Sequence, residues 1–522
     1  MPIALSSHYH RSIYFFGLTL MAIGLPVSKF LMSLSQIILI GNWLLEGNIG
    51  GKFRKFWQNK SAVVLCSVFI LHLIGLAYTS DFKYGFEDVR KKLPLLILPF
   101  ILSSSELLSP KQFKNLMMLF VLSVLIGTFF SMAVLWGFIH RPVIDIRDIS
   151  LFVSHIRFSL MICVAILTVA YFLYYEKAVY KKIIYTLLIA WLGIFLIILE
   201  SLTGIISLFI IVFIFLIYYA FTREKLLSKL VYLVVVLMIL LGTVYYLNYL
   251  NKEFCTGETP DTTRLEKYTS RHNEYLHDLN NMDIENGHYV WQYICWKELE
   301  EEWNKRSAIK FDEKDKKGNE IKYTLIRFIT SKGLRKDADG VKALTTNDIE
   351  AIEKGTANVN RHGIINLNAR ICEIFWEIEN YKKGGNPNGH SLTQRFEYWK
   401  TALQIIKENY LLGVGTGDVE NAFEQEYNRE NSLLTQQWRL RSHNQYLSIT
   451  VAFGLMGLMW FLFSLIYPVI KEKKAFDYFY AAFFIIVLSS MLTEDTLETQ
   501  AGVSFFAFFN SLFLFGREKE KN

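Results

Sequence analysis

The sequence predicts an all-α polytopic membrane protein with about twelve transmembrane helices and one large, mainly helical domain outside the bilayer. The chain has 522 residues, of which 52% are hydrophobic and 15% aromatic, and its mean hydropathy is +0.26. Its apolar residues are concentrated in long runs, and about 20 such residues span a bilayer. Lysines and arginines form short clusters between the runs, a pattern that sets topology and gives no support for a nucleic-acid partner.

Each apolar run that is long enough to cross a membrane, alone or inside a bundle, is a candidate span. The first run follows Arg11 without a small-residue cleavage site, so we expect it to be retained and not removed as a signal peptide. The fourth run is short and contains Pro94 and Pro99. The candidate spans cover residues 13–28, 30–45, 61–78, 93–104, 115–138, 150–174, 183–199, 204–221, 229–248, 446–470, 477–492 and 500–516.

Alternate loops are rich in lysine and arginine, which predicts that both termini are cytoplasmic. The exception is residues 81–92, a positive segment on the other side, which we interpret as a short amphipathic helix on the outer surface. This topology divides the chain into helices 1 to 9 (residues 1–248), an external loop domain (249–445) with its motifs at 391–445, and helices 10 to 12 with a cytoplasmic tail (446–522).

Helical periodicity continues inside the loop domain. Residues 289–303 and 369–381 carry apolar positions at helical spacing. A breaker cluster at 382–389 leads into a further helix, whose start is predicted by the capping-box spacing of Ser391 and Gln394. Its predicted apolar face consists of Phe396, Trp399, Leu403 and Ile406.

The five cysteines show no metal-ligand spacing. Cys66 and Cys163 fall in apolar runs, and Cys255, Cys295 and Cys372 fall in the loop domain. We expect unpaired thiols; a single disulfide among the last three is the alternative in an oxidising compartment.

Two residues at the predicted outer boundary are candidates for chemistry. His443 precedes the tenth span, where an imidazole could take a proton from a substrate hydroxyl, or could serve only as a polar boundary residue. Arg157 lies in the outer half of the sixth span, where a charge is costly and needs a partner. It could bind an anionic group bidentately, or form a structural ion pair with Glu200.

Other polar residues near this boundary have more ordinary interpretations. Arg441, like its neighbour Arg439, suits lipid headgroups, and Arg441 and Glu200 are also secondary candidates for the substrate site. Gly413, Gly415 and Gly417 lack the features of a nucleotide-binding loop, and we interpret them as a tight turn with Asp418 capping the next helix. Glu494, Asp495 and Glu498 form an acidic cluster in the last outer loop and are secondary candidates for the same cavity.

Four motifs together resemble the O-antigen ligase and polymerase family. They are Arg395-Phe-Glu-Tyr-Trp399, Leu412-Gly-Val-Gly-Thr-Gly417, His443-Asn-Gln-Tyr-Leu447 and Gly454-Leu-Met-Gly457. The layout of about twelve spans with one large loop before the tenth is also similar. One departure is that relatives often have a Ser-Arg pair at the start of the eighth span, whereas here Leu202 follows Ser201.

The resemblance implies a GT-C-like membrane glycosyltransferase at the periplasmic face of a bacterial inner membrane. Its donor would be a glycan on undecaprenyl diphosphate and its acceptor lipid A-core or another surface glycan, in an inverting reaction without metal or other cofactor. By the same resemblance, His443 would be the catalytic residue, and Arg157 and Arg395 would bind the diphosphate.

Three other functions remain open from the sequence. A polymerase would use the same donor and much the same site, and would differ only in its acceptor. A polytopic transporter or lipid flippase is a remote alternative, since repeated halves with corresponding broken spans are not evident. A sensor would need an intracellular signalling module, but the predicted inner loops are short.

Overall fold

The computed structural model describes residues 7–141, 146–252, 265–278, 281, 283–316, 318–359, 367–382 and 384–518. Within these residues the chain is predominantly helical, and every apolar run named above coincides with a helix. The helices are α1 (Ser7–Val27), α2 (Lys29–Leu45), α3 (Ile49–Gln58), α4 (Lys60–Gly75), α5 (Phe82–Lys92), α6 (Pro94–Ser104), α7 (Pro110–Leu135), α8 (His155–Tyr175), α9 (Val179–Ile198), α10 (Leu202–Thr222), α11 (Leu226–Leu250), α12 (Trp296–Arg306), α13 (Ile321–Ser331), α14 (Ala338–Lys342), α15 (Thr346–Glu353), α16 (Leu367–Lys382), α17 (Ser391–Glu408), α18 (Val419–Arg429), α19 (Gln445–Lys471), α20 (Tyr478–Met491) and α21 (Gln500–Phe515).

In the described part of the chain, seven helices are long and apolar enough to cross a membrane, and α2 with α3, bent by 114°, makes up to eight. Helices α6, α20 and α21 have only 11, 14 and 16 residues. At 1.5 Å per residue they are about 16 to 24 Å long, less than the roughly 30 Å of a hydrocarbon core. The seven long apolar helices make this a multi-pass membrane protein. The total of about twelve spans stays a prediction.

The chain packs into two compact units. The first contains residues 1–141, 147–215 and 386–522, and the second contains residues 142–146 and 216–385. Residues 386–445, which the sequence assigns to the loop domain, thus pack with the helices of the first unit. The domain boundaries drawn from the sequence stay predictions.

Helix α21 is the central element of the first unit. Its side chains from Ala501 to Phe515 are all buried, and it packs against α6 and α20. Phe505, Phe509 and Phe513 contact Phe483 of α20 through their rings. A short helix surrounded by protein can therefore be apolar on every side.

The second unit has a hydrophobic core of its own, built around Trp303 and Phe328. The predicted helix at 289–303 is wrong in part, because a two-stranded hairpin, Ile284–Glu285 with His288–Tyr289, occupies its start and α12 begins only at Trp296. The helix predicted at 369–381 is confirmed as α16.

Of the three loop cysteines, Cys295 is a buried free thiol. Cys255 lies outside the described residues, and the side chain of Cys372 is not among those described.

Candidate active site

Helix α17 begins at Ser391 as predicted, but its capping differs from the prediction, and its apolar face is not its buried face. The N-cap is His390, which makes no side-chain cap hydrogen bond, so the predicted Ser391 capping box is not formed. The predicted apolar face is not the face that the helix buries, since Leu403 is 51% exposed and Phe396, Trp399 and Ile406 are only half-buried. The buried face is the neighbouring, more polar one, formed by Thr393, Gln394, Glu397, Tyr398, Thr401, Ala402 and Ile405.

Arg395 projects from the first two turns of α17 onto the segment between α20 and α21, residues 492–499, here called the acidic loop. Its Nη2 donates to Glu494 Oε1 at 2.6 Å, and its Nε donates to the carbonyl of Thr493 at 3.1 Å. A third hydrogen bond joins Nη1 to the carbonyl of Ser391 at 2.6 Å. These bonds fix the guanidinium group of Arg395 against Glu494.

Arg157 reaches the same carboxylate from the first turn of α8. Its Nη1 lies 3.5 Å from Glu494 Oε2, and its Nη2 donates to the carbonyl of Asp495 at 3.2 Å. The alternative partner named by the sequence, Glu200, lies in the turn between α9 and α10 with a left-handed φ of 49°. The described contacts of Arg157 therefore tie it to the acidic loop, on which the sequence placed only secondary candidates.

His443 is the third residue that meets Glu494. Its Nδ1 lies 3.6 Å from Glu494 Oε2, just beyond hydrogen-bond distance. The next residue, Asn444, caps α19 by accepting from the amides of Tyr446 and Leu447, and its Nδ2 donates to the carbonyl of Leu492. The start of α19 and the acidic loop are thus held together directly beside the imidazole.

The imidazole also rests against an aromatic ring. Tyr398 of α17 lies with its ring centroid 5.6 Å from that of His443, at an interplanar angle of 30°. Its hydroxyl donates to the carbonyl of Trp438, which anchors the ring. Because the His443 side chain is still 32% exposed, a substrate group can approach it.

Burial and charge act in opposite directions on Glu494, whose side chain is 1% exposed. Burial alone would raise the pKa of this carboxyl, but the His443 ring and the guanidinium groups of Arg157 and Arg395 outweigh it and lower the pKa to about 2. Glu494 is therefore ionised at neutral pH. In this cluster two guanidinium groups face one carboxylate.

A second buried cluster lies beside the first and is balanced in charge. Glu498 accepts from Lys92 Nζ at 2.6 Å and from Arg441 Nη1 at 3.1 Å, and Lys92 also bonds Asp88 at 3.2 Å. Gln445, the first residue of α19, bonds the acidic loop twice: its side chain donates to Glu498 and accepts from the amide of Leu497. Burial opposes ionisation of Glu498, yet Lys92 and Arg441 lower its pKa.

The helix predicted at 81–92 is present as α5, but it is not simply a surface helix, because Lys92 is fully buried. Sequence reasoning missed Lys92 and Tyr398 as members of this region. The available signal for Lys92 was its place in a positive segment on the side where positive residues are otherwise scarce. Two cations here are matched by two carboxylates, so this cluster fits a role in holding the acidic loop.

The glycine turn follows the C-terminal end of α17, whereas Arg395 lies near the N-terminal end of that helix. Residues 409–416, here called the strap, bond to a break in α19 at Gly454 and to the carbonyls of His72 and Gly75 at the end of α4. Asp418 is the N-cap residue of α18, as predicted, but its carboxylate makes no cap hydrogen bond and accepts instead from the amides of Ser80 and Asp81.

The strap holds no phosphate-binding arrangement among its described atoms. The amides of Val414, Gly415 and Thr416 donate to the carbonyls of Val451, Ala452 and Gly75. Among the described residues, no group of three His, Cys, Asp or Glu side chains could hold a metal ion.

Residues 349–462 match the family model described as O-antigen ligase. The chain carries a domain of the O-antigen ligase family. The resemblance noted in the sequence is thereby confirmed. None of the curated proteins compared with the chain matches it.

The match with the O-antigen ligase family includes Arg395, His443 and the strap, whereas Arg157 and Glu494 lie outside the matched residues. It supports a glycosyltransferase of the ligase or polymerase kind that works in a membrane with a lipid-linked glycan donor and a glycan acceptor.

Proposed function

We propose that this protein is an O-antigen ligase that moves a glycan from undecaprenyl diphosphate to lipid A-core or another surface acceptor. The observation that carries the proposal is that Arg157, Arg395 and His443 all meet Glu494. They come from three separate elements, which are α8, α17 and the segment before α19. The reaction would take place at the periplasmic face of the inner membrane, with both chain termini in the cytoplasm.

The two guanidinium groups form the part of the site that would bind the diphosphate. They share one carboxylate, so the pair keeps an excess of positive charge for a second anion, unlike the balanced cluster around Glu498. Their side chains are 13% and 18% exposed, so they are partly desolvated yet reachable. In such a site, fixed cations stabilise the charge that develops on a leaving diphosphate.

His443 would act as the general base. Its Nδ1 faces Glu494, which favours the tautomer with the proton on Nδ1 and leaves Nε2 to accept a proton. The acceptor hydroxyl oxygen would attack the anomeric carbon and give its proton to His443, while the bond from that carbon to the diphosphate oxygen breaks. The configuration at the anomeric carbon inverts, and undecaprenyl diphosphate leaves.

The role of His443 is tested by replacing it with alanine and measuring glycan transfer in membranes that contain equal amounts of folded protein. General base catalysis typically contributes roughly a hundred- to ten-thousandfold, so we expect transfer to fall by about that factor. His272→Ala is the matched control, because His272 is an exposed histidine of the second unit. Undiminished transfer by His443→Ala would reject the general base.

The acceptor is tested by the glycan profile of a deletion strain. A ligase predicts free lipid A-core together with accumulated lipid-linked polymer. Single repeat units still attached to the core, with long chains absent, would instead identify a polymerase. Unchanged surface glycans would contradict both functions.

A further inference from the structure

The strap, residues 409–416, replaces part of the hydrogen-bond ladder of a membrane helix. At Gly454, α19 is broken by a backbone with φ 64° and ψ −168°. Val451 and Ala452 lose helical partners there, and their carbonyls accept instead from the amides of Val414 and Gly415, both at 2.9 Å. On the other side of the break, the amide of Leu455 donates to the carbonyl of Tyr410 at 2.8 Å.

Two glycines make this close approach possible. A Cβ on Gly454 would lie 2.2 Å from the carbonyl of Leu411, and a Cβ on Gly413 would lie 2.4 Å from the backbone of Ala452. Both glycines have positive φ, at 64° and 68°. The strap and the broken helix are therefore fitted to each other, backbone against backbone.

The broken part of α19 lies within the hydrocarbon-spanning stretch of that helix. The first charged residue at its far end is Lys471. About 20 residues are needed to cross the hydrocarbon, and counting back from Ile470 places the start of that stretch near Val451. Backbone groups at this depth need protein partners, and the strap supplies them.

The side chains of the strap suit hydrocarbon and not water. Tyr410, Leu411 and Leu412 are 54%, 51% and 58% exposed. No charged residue occurs between Glu408 and Asp418. The exposed apolar side chains continue on α17 with Leu403, and on α19 with Leu455, Met456, Met459 and Trp460.

We propose that the strap is a re-entrant element, inserted into the hydrocarbon of the bilayer leaflet next to the candidate active site, with Leu411 and Leu412 in contact with lipid chains. This contact differs from the sequence interpretation, which places the whole loop domain, residues 249–445, outside the membrane. It anchors the C-terminal end of α17, the helix that carries Arg395, at the membrane surface. The inference does not depend on the reaction that the protein catalyses.

The test measures the surroundings of a nitroxide label on the purified full chain in nanodiscs of phosphatidylethanolamine and phosphatidylglycerol. Labels are placed at Leu412→Cys and, as a second variant, at Leu411→Cys. Gln425→Cys on α18 is the water-exposed reference, and Leu455→Cys on α19 is the lipid-exposed reference. The unsubstituted chain gives the background from the native cysteines.

We expect the ratio of collisions with oxygen to collisions with a water-soluble nickel chelate at positions 411 and 412 to approach that at 455 and to exceed that at 425 several-fold. A ratio like that of position 425 would place the strap in water and overturn the proposal. Shielding from both reagents would show that protein covers these leucines, which would overturn it as well.

Discussion

Glu494 is the residue on which the candidate active site depends, because its carboxylate is the common neighbour of Arg157, Arg395 and His443. Without it, two guanidinium groups would face each other without a counter-charge. Removing one partner from a buried ion pair typically costs about 3 to 5 kcal/mol. Glu494 therefore holds the two guanidinium groups and the imidazole in place, and its ionisation makes the stability of the fold depend on pH.

The pH dependence follows from the lowered pKa of Glu494. Its ordinary value of 4.5 falls to about 2 in the folded protein, so the unfolded chain binds more protons between these values and stability is lost as the pH falls through this window. We expect the melting temperature of the wild type in detergent to fall between pH 4.5 and 2 more steeply than that of Glu494→Gln. Glu424→Gln, at an exposed position, is the control. Equal slopes for wild type and Glu494→Gln would contradict this assignment.

Arg157 provides a second test at the scale of the residue. One guanidinium group reaches both Glu494 and the carbonyl of Asp495, and the single ammonium group of lysine lacks that planar fork. We expect Arg157→Lys to lower glycan transfer by about tenfold or more at unchanged protein level, which is a loss of about 1.4 kcal/mol. Arg439→Lys, on a guanidinium that bonds Leu434 and Asn428 instead, should leave the rate unchanged. Full activity of Arg157→Lys would favour a purely structural arginine.

At the scale of the element, the contact between the strap and the break in α19 depends on two glycines, Gly413 and Gly454. Ordinary glycines inside helices have no such role. The backbone of Gly454 lies in a region that is essentially restricted to glycine and costs other residues about 1 to 3 kcal/mol, before any clash. We expect Gly454→Ala to lower the melting temperature and to displace the strap. Gly193→Ala, in the middle of α9 with open space at the Cβ position, should be neutral or stabilising by about 0.5 to 1 kcal/mol. A Gly454→Ala variant as stable as Gly193→Ala would show that the strap tolerates a Cβ.

The elements also show how far a sequence predicts such a fold. The helices were predictable because runs of apolar residues are visible locally, and Arg395 and His443 were predictable because they stand in recognisable motifs. The buried face of α17 was not, because periodicity finds an apolar face but not what covers it. Here Thr401 and Tyr398 pack inward while Leu403 is exposed. In a membrane protein an apolar face can contact lipid.

Contacts distant in sequence were equally hidden. Glu494 meets Arg157 and Lys92 meets Glu498 across more than 300 residues, and no local pattern joins them. The break at Gly454 was hidden too, because glycine is frequent in membrane helices that continue past it.

At the scale of the whole molecule, the two compact units should respond differently to pH. Lys336 in the second unit is 3% exposed and donates to the carbonyl of Tyr289. Burial lowers its pKa from the ordinary 10.5 to about 7. Between these values the unfolded chain holds a proton that the folded unit does not, so the stability of this unit rises with pH from about 7 to about 10.5.

Hydrogen exchange can follow each unit within the full chain. After correction for the intrinsic pH dependence of exchange, peptides of α13 should be better protected at pH 9 than at pH 7, while those of α21 should change little. Lys336→Met should remove the change in α13, since it leaves no group to titrate. A change in α13 that persists in Lys336→Met would assign it to another residue.

The central claim is that the residues around Glu494 catalyse glycan transfer from a polyprenyl diphosphate. It is tested most directly with the purified full chain in proteoliposomes that contain an undecaprenyl-diphosphate-linked glycan and a lipid A-core acceptor. We predict that glycosylated acceptor and free undecaprenyl diphosphate form in equal amounts, and that His443→Ala slows both by roughly a hundredfold or more. Equal rates for wild type and His443→Ala, or product formation without release of undecaprenyl diphosphate, would contradict the claim.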